Sequence, residues 1–395
     1  VPEKVLPGKL VMHFPFAMAI NGQTLLLSSQ DSDGKYDYGR LVAFDTKEIK
    51  QDIKNLSQKW EQLVKSNVLI PPDIGLISFE DYIIFASRAD NRLYLTPKPL
   101  CNEPFEVISK CPDTATLDLG HNDPYALAVL EKKTERDIIL ASYLSSGHLD
   151  LIEYNKKPKK PALKALKSLN IQDWLGEKYK GDFFTKKVSV AQANLYILVE
   201  RKPSKEFIDD LTKRKVSFKL ATLRKNTGAL LLKIKVDDLL NKNKITDADI
   251  KIFNLQEDFG ISLAQDFYID KNDEIAVILA RSPESLIKIK LDSEKILDTQ
   301  LLCRGASLMA VSQDLDRIVV PCFSDNRVIS LTLSSLAIVA ASDFHGRGPA
   351  FALIDEDHKK VFVSFNIEGK VGVFDFDLKY LGELFEPAPR NRVGS

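Results

Sequence analysis

Three of the chain's five histidines, two arginines and two aspartates stand at the head of short apolar runs rich in alanine and other small residues. They are His13 (HFPFAMAI), His121 and Asp123 (HNDPYALAV), Asp258 (just before FGISLAQ), Arg304 (RGASLMAV), and His345 and Arg347 (HGRGPAFALI). Gathered in one place, they would recognise an anionic or polar ligand, or a protein partner. Arg304 and Arg347 would offer forked donors to a carboxylate or phosphate, and the imidazoles would add pH-dependent hydrogen bonds. His13, His121 and His345 with Asp123 are also ligand types that zinc or iron accepts. A plainer account has all seven residues capping and solvating strand ends. The plainer account ranks first, ligand or partner contact second and metal last; no cofactor is expected.

Other chemistry finds no motif. G-x-S-x-G, H-E-x-x-H and a Walker loop are missing, so no catalytic residue is assigned. Asp31, Asp33 and Asp37 in DSDGKYDYG lack the spacing and terminal Glu of a calcium loop, and read as an acidic hairpin.

The elements that carry these residues repeat. After each apolar run comes a polar turn (IDKNDE, QDLDR, DEDHKK), then a second run (IAVILA, IVVPCF, VFVSFN) and a third (LIKIKLD, VISLTL, KVGVFDF). A fourth (KIFNL, TQLLC, AIVAASDF) leads into the next break. These are short β-branched and aromatic segments separated by turn residues, as strands are. Four strands recurring at about 40 to 55 residues predict a β-propeller. Seven units fit, at roughly 12–66, 67–111, 112–162, 163–245, 246–295, 296–340 and 341–388, as one all-β domain over 1–395. A four-stranded blade buries neither face alone, whereas stacking it between two neighbours buries both. The narrow axis suits Ala17, Ala126, Ala306 and Ala352 on the innermost strands, and the residues that precede those strands should meet at one mouth of the channel.

Two segments read as helices. TKEIKQDIKNLSQKWEQLVKS (46–66) places Ile49, Ile53, Leu56, Trp60 and Leu63 on one stripe, and SKEFIDDLTKRK (204–215) is a shorter candidate. Either KYLGELFEP or KLVMHF, both read as outer-strand segments, should complete the seventh blade.

Lys+Arg and Asp+Glu both number 55, which argues against a nucleic-acid binder dependent on a basic excess. The basic run at Lys156, Lys157, Lys159 and Lys160 reads as a solvated loop. No apolar run is long enough to cross a membrane as a helix. The opening VPEKVLPGK is what a mature or trimmed start would look like. The four cysteines suit an oxidising compartment. Cys101 and Cys111 form the favoured pair, worth about 2–3 kcal/mol. The pair Cys303 and Cys322 is doubted, because strand register brings Cys322 opposite Ala306 or Ser307, and a bridge then needs a bend at Gly305.

The last two units, and QTLLLSSQDSDGKYDYGRLVAFD in the first, resemble YVTN-type repeat propellers of bacterial exported proteins and lipoproteins. The parts that carry the resemblance are GRGPAFAL, KKVFVSFN and GKVGVFDFDL. It implies a seven-bladed propeller of the cell envelope, periplasmic or anchored at the outer membrane, and implies no catalytic residues. The function expected is a non-enzymatic binding or scaffold module, monomeric because propeller edges are protected. The alternative is a lactonase-like or other hydrolase acting at the channel mouth.

Overall fold

A computed structural model describes residues 13–31, 39–50, 64–70, 73–79, 81–98, 108, 111–156, 162–176, 179, 181–202, 209 and 228–385. Their strands form seven four-stranded antiparallel sheets, each made of strands consecutive in sequence. The blades run from His13 to Ile70, Asp73 to Asp118, Pro124 to Asn170, Phe183 to Asn254, Leu263 to Leu301, Ala310 to Ala341 and Pro349 to Leu384. The inner strand of blade 1 (His13–Asn21) packs against those of blade 2 (Asp73–Ser78) and blade 7 (Pro349–Asp355), so the ring is closed. The chain is an all-β seven-bladed propeller, as its repeats predict.

The burial pattern explains the sequence pattern. The second strands of blades 2, 3 and 7 (Tyr82–Ser87, Arg136–Tyr143, Lys360–Phe365) are buried along almost their whole length. Each lies between two neighbouring blades, so both faces are packed and the run is continuously apolar instead of alternating. Outer strands such as Ala162–Asn170 (ALKALKSLN) and Lys295–Leu301 (KILDTQL) are largely exposed. Their lysines discourage pairing with another chain.

The core is therefore divided among the blade interfaces. Leu26, Phe85 and Tyr94 pack between blades 1 and 2; Met18, Phe44, Phe362 and Val373 pack between blades 7 and 1. Each such fully buried side chain contributes about 1.5–3 kcal/mol. Polar contacts reinforce the last closure: Lys360 Nζ donates to the Ile49 carbonyl at 2.7 Å, and the Phe385 ring meets Phe44 edge-on at 5.7 Å.

Four expectations are decided or revised. The C-terminal segment KYLGELFEP supplies the outer strand of blade 7 (Tyr380–Leu384), so that blade is complete in itself. In KLVMHF, His13 and Phe14 instead open the inner strand of blade 1, and residues 9–12 lie outside the described residues. Blade limits also shift, because each weakly apolar outer strand stays with the strands before it: Ala115–Asp118 belongs to blade 2 and Ile250–Asn254 to blade 4. Of the longer expected helix, only the 3-10 turn Glu48–Lys50 is seen. Residues 64–66 begin the outer strand Val64–Ile70, and 51–63 lie outside the described residues. The shorter one, 204–215, lies outside them except for Asp209.

The fourth concerns the cysteines. Cys303 and Cys322 are bonded, with Cα atoms 5.7 Å apart. The register objection was sound as far as it went, since Cys322 does pair with Ala306. Gly305, at φ +69°, supplies the bend that brings residue 303 back. The turn is held by Phe323 N donating to the Gly305 carbonyl at 2.9 Å. A Cβ at Gly305 would stand 2.8 Å from the Ser324 backbone nitrogen, so both conformation and space select glycine there. Cys111 is also disulfide-bonded, and its candidate partner Cys101 lies outside the described residues.

Candidate functional site

The inner strands share a local distortion. In blades 1, 2, 3, 4, 5 and 7 each carries an extra residue near its first end, where the register slips against the second strand. The extra residues include Ile74, Tyr125, Lys186, Gln265 and Ala350. Such bulges re-aim side chains at barrel rims. Here they act at one end of the axial channel.

Most of the seven residues singled out from sequence do not meet there. His121 lies between the outer strand of blade 2 and the inner strand of blade 3, but its ring turns outward over blade 3. It stacks on His148 with centroids 3.7 Å apart, meets Tyr143 edge-on at 5.2 Å, and places Nε2 3.1 Å from Ser168 Oγ. His345 does the same on blade 7, stacking on Tyr380 at 4.2 Å. Arg304 is pinned locally, its Nε and backbone N both 2.9 Å from the Asp325 carboxylate, and Arg347 Nε lies 3.6 Å from Glu368. Asp258 accepts from the Asn254 backbone N at 3.1 Å, closing the first turn of the short helix Leu255–Phe259. His13 opens its inner strand, and its side chain lies outside the described residues. Among the described residues, no group of three His, Cys, Asp or Glu side chains is arranged to hold a metal.

Burial pushes the pKa of His148 and of His345 down. For His148 the charge of His121 adds to this, while Asp150 and Asp173 oppose it. For His345, Lys370 adds and Asp343 opposes.

Asp123 is the exception. It has positive φ and sits where blades 2 and 3 join: its backbone N donates to Asn91 Oδ1 at 3.1 Å, and its carboxylate pairs with Arg88 Nε. Next to it, Tyr125 is the extra residue of its inner strand. Burial pushes the Tyr125 phenol up, then the charge of Asp266; Arg88 opposes and Asp123 adds. Asp266 stands on the inner strand of blade 5, two blades away around the ring.

Asp266 anchors the other side. Only 1% of its side chain is exposed, and Lys187 Nζ from blade 4 lies 2.5 Å from Oδ1. Oδ1 also accepts from Phe267 N at 2.8 Å, and Oδ2 accepts from Met309 N of blade 6 at 2.9 Å. One carboxylate thus ties blades 4, 5 and 6 together. Arg88 with Asp123, where blades 2 and 3 join, and Lys187 with Asp266, from blades 4 and 5, are two ion pairs beside the first ends of inner strands. Two cations offset two carboxylates, so their fixed charge is neutral.

Arg88 Nε pairs with Asp123 and Lys187 donates to Asp266, while 40% of the Arg88 and 34% of the Lys187 side chain stay exposed, so each cation keeps N–H groups that face solvent. Arg88, Tyr125, Lys187 and Asp266 escaped the sequence reading. The one visible signal was an aspartate inside the apolar strand LAQDFYI.

The fold defines the chain as a seven-bladed β-propeller, with ion pairs from neighbouring blades at the first ends of its inner strands. No protein-family model and no curated protein sequence matches it. Solved structures do share the architecture. Kuenenia stuttgartiensis hydrazine synthase superposes with a TM-score of 0.63 at 10% identity, over 95% of this chain and 99% of that one. The Cps50 (Swd1) β-propeller domain of Myceliophteria thermophila gives 0.58 at 8% identity, over 93% and 98%. A protein of unknown function from Desulfotomaculum acetoxidans gives 0.53 at 12%, over 87% and 92%. At these identities the likeness is one of fold.

Proposed function

We propose that the protein is a non-enzymatic binding module of the cell envelope, holding a polar ligand or partner group at the channel end lined by Arg88, Asp123, Tyr125 and Lys187. The observation that carries this reading is the two ion pairs with half-exposed cations, Arg88–Asp123 and Lys187–Asp266, that blades 2 to 5 set beside the first ends of their inner strands. Loops at strand ends converge at a propeller's mouth and are free to vary without disturbing the scaffold. The envelope assignment draws on the resemblance to exported repeat propellers. The Cys303–Cys322 bond supports it further, since structural disulfides persist in oxidising compartments.

The test is affinity capture from an envelope extract, comparing wild type with Arg88→Gln/Tyr125→Phe and with His121→Ala/His345→Ala/Arg347→Ala. All three are first shown to be folded. A partner held by wild type and the second variant but lost by the first supports the site. Equal capture by all three overturns it.

A further inference from the structure

We infer that the outer strand of blade 6, Ile338–Ala341, pairs edge to edge with the same strand of a second copy of this chain, joining two propellers rim to rim about a two-fold axis at Ala341.

The first argument compares the seven rims. Among the described residues, each blade ends on an outer strand with one unpaired edge. A charged residue on such a strand discourages another chain from adding to it. Six of the seven carry one: Lys65 in VKSNVLI, Asp118 in ATLD, Lys164 in ALKALKSLN, Lys251 in IKIFN, Lys295 in KILDTQL and Glu383 in YLGEL. The strand of blade 6, IVAA, carries none, and the chain is without charge from Val328 to Ser342. Protected edges are the reason to expect a monomer, and this edge lacks that protection.

The second argument is what the edge presents. Ile338 is 48%, Val339 47% and Phe344 64% exposed, so apolar side chains accompany the open backbone. Ser342 N donates to the Val328 carbonyl at 2.8 Å, across the blade. Adjacent residues of a strand aim their backbone groups to opposite sides, so Ala341 turns its N–H and C=O outward.

The third argument selects the occupant. Antiparallel pairing about an axis at Ala341 sets Ile338 of each copy against Phe344 of the other, and Asp343 against Val339. The segment therefore covers its own exposed apolar residues, and its nearest carboxylate meets no like charge. Such a self-complementary patch is what an isologous dimer requires. A separate extended peptide fits less well. A short edge offers few backbone hydrogen bonds, and a disordered strand loses conformational entropy on joining it, whereas this strand is already held in its blade.

Sedimentation velocity of the full chain tests this. It should show a monomer–dimer equilibrium with a Kd of roughly 10–100 μM, as suits a small interface, and little dependence on salt. Val339→Lys installs the guard that the other rims carry and should weaken the dimer about tenfold or more. Ala341→Pro removes the outward N–H and should act likewise. Far-UV circular dichroism verifies that both variants fold. Ala341→Cys should cross-link two copies under mild oxidation, because Cα atoms of a hydrogen-bonded antiparallel pair stand about 5.5 Å apart. Leu166→Cys, 43% exposed on the outer strand of blade 3, should not. A chain that stays monomeric at millimolar concentration, a dimer that Val339→Lys leaves unchanged, or equal cross-linking at residues 341 and 166 overturns the inference. If the chain is monomeric and Val339→Lys instead loses a captured protein, a foreign strand occupies the edge and the second copy is overturned.

Discussion

Replacing Lys187 with Met tests whether the channel end is a coupled network or a set of solvated charges. The substitution keeps the length and apolar stem of the side chain but strands Asp266, which is 1% exposed, with only the Phe267 and Met309 amides. Breaking a buried pair in this way costs about 3–5 kcal/mol. Lys187 is itself 34% exposed, so water reaches its place and partly solvates Oδ1, which lowers the expected loss to about 2–3 kcal/mol. Asp266→Asn removes the charge but turns an amide group toward Lys187 or toward the Met309 N–H, costing a comparable amount, about 2 kcal/mol. The double variant has no stranded charge, so the two losses should not add; the coupling should be about 2 kcal/mol. It should change little with salt, because a buried pair is poorly screened. Urea unfolding followed by both tryptophan fluorescence and far-UV circular dichroism measures it, with coincident transitions required before free energies are taken. A coupling below about 0.5 kcal/mol, the level of an exposed ion pair, would refute the claim that Asp266 ties three blades together at the site.

Three other outcomes are expected. Stability should fall as pH drops below about 6.5, because the unfolded chain takes up protons at His148 and His345 that the folded chain, with both pKa values lowered, resists. Imidazole NMR titrations should place both groups below that value, and His148→Gln with His345→Gln should flatten the slope. Cys303→Ala/Cys322→Ala should lose about 3 kcal/mol in denaturant unfolding, the loop entropy for a sequence separation of 19. Wild type under a strong reductant should lose a similar amount. Gly305→Ala should cost about 1–3 kcal/mol from positive φ and the clash with Ser324, and should slow oxidative closure of the same disulfide in refolding assays read by thiol labelling.

The propeller was legible because its physics is local and repeated. A strand packed on both faces must be apolar throughout, and runs such as IAVILA and VFVSFN show this without reference to any other part of the chain. Outer strands have one exposed side and read weakly, as in ALKALKSLN, which is why blade limits moved toward the C-terminus. The site was illegible for the opposite reason. Lys187 and Asp266 are 79 residues apart, and Asp266 and Met309 are 43 apart. Nothing near Lys187 in sequence reveals that a bulge one blade on will present a carboxylate to it. Position before an inner strand does not decide where a side chain points. His121 and His345 stand on connections that cross from the outer strand of one blade to the inner strand of the next. An aromatic partner on the next blade's second to fourth strands captures each ring on the way: His148 and Tyr143 for the first, Tyr380 for the second. Asp123 escaped that capture because Arg88 reaches it from the neighbouring blade and its backbone is already tied to Asn91. In this propeller the inner-strand register slips, not the starts of the repeat motifs, mark where side chains leave the blade interface. The slip turns a side chain out of the blade interface, and an interface side chain is otherwise committed to packing.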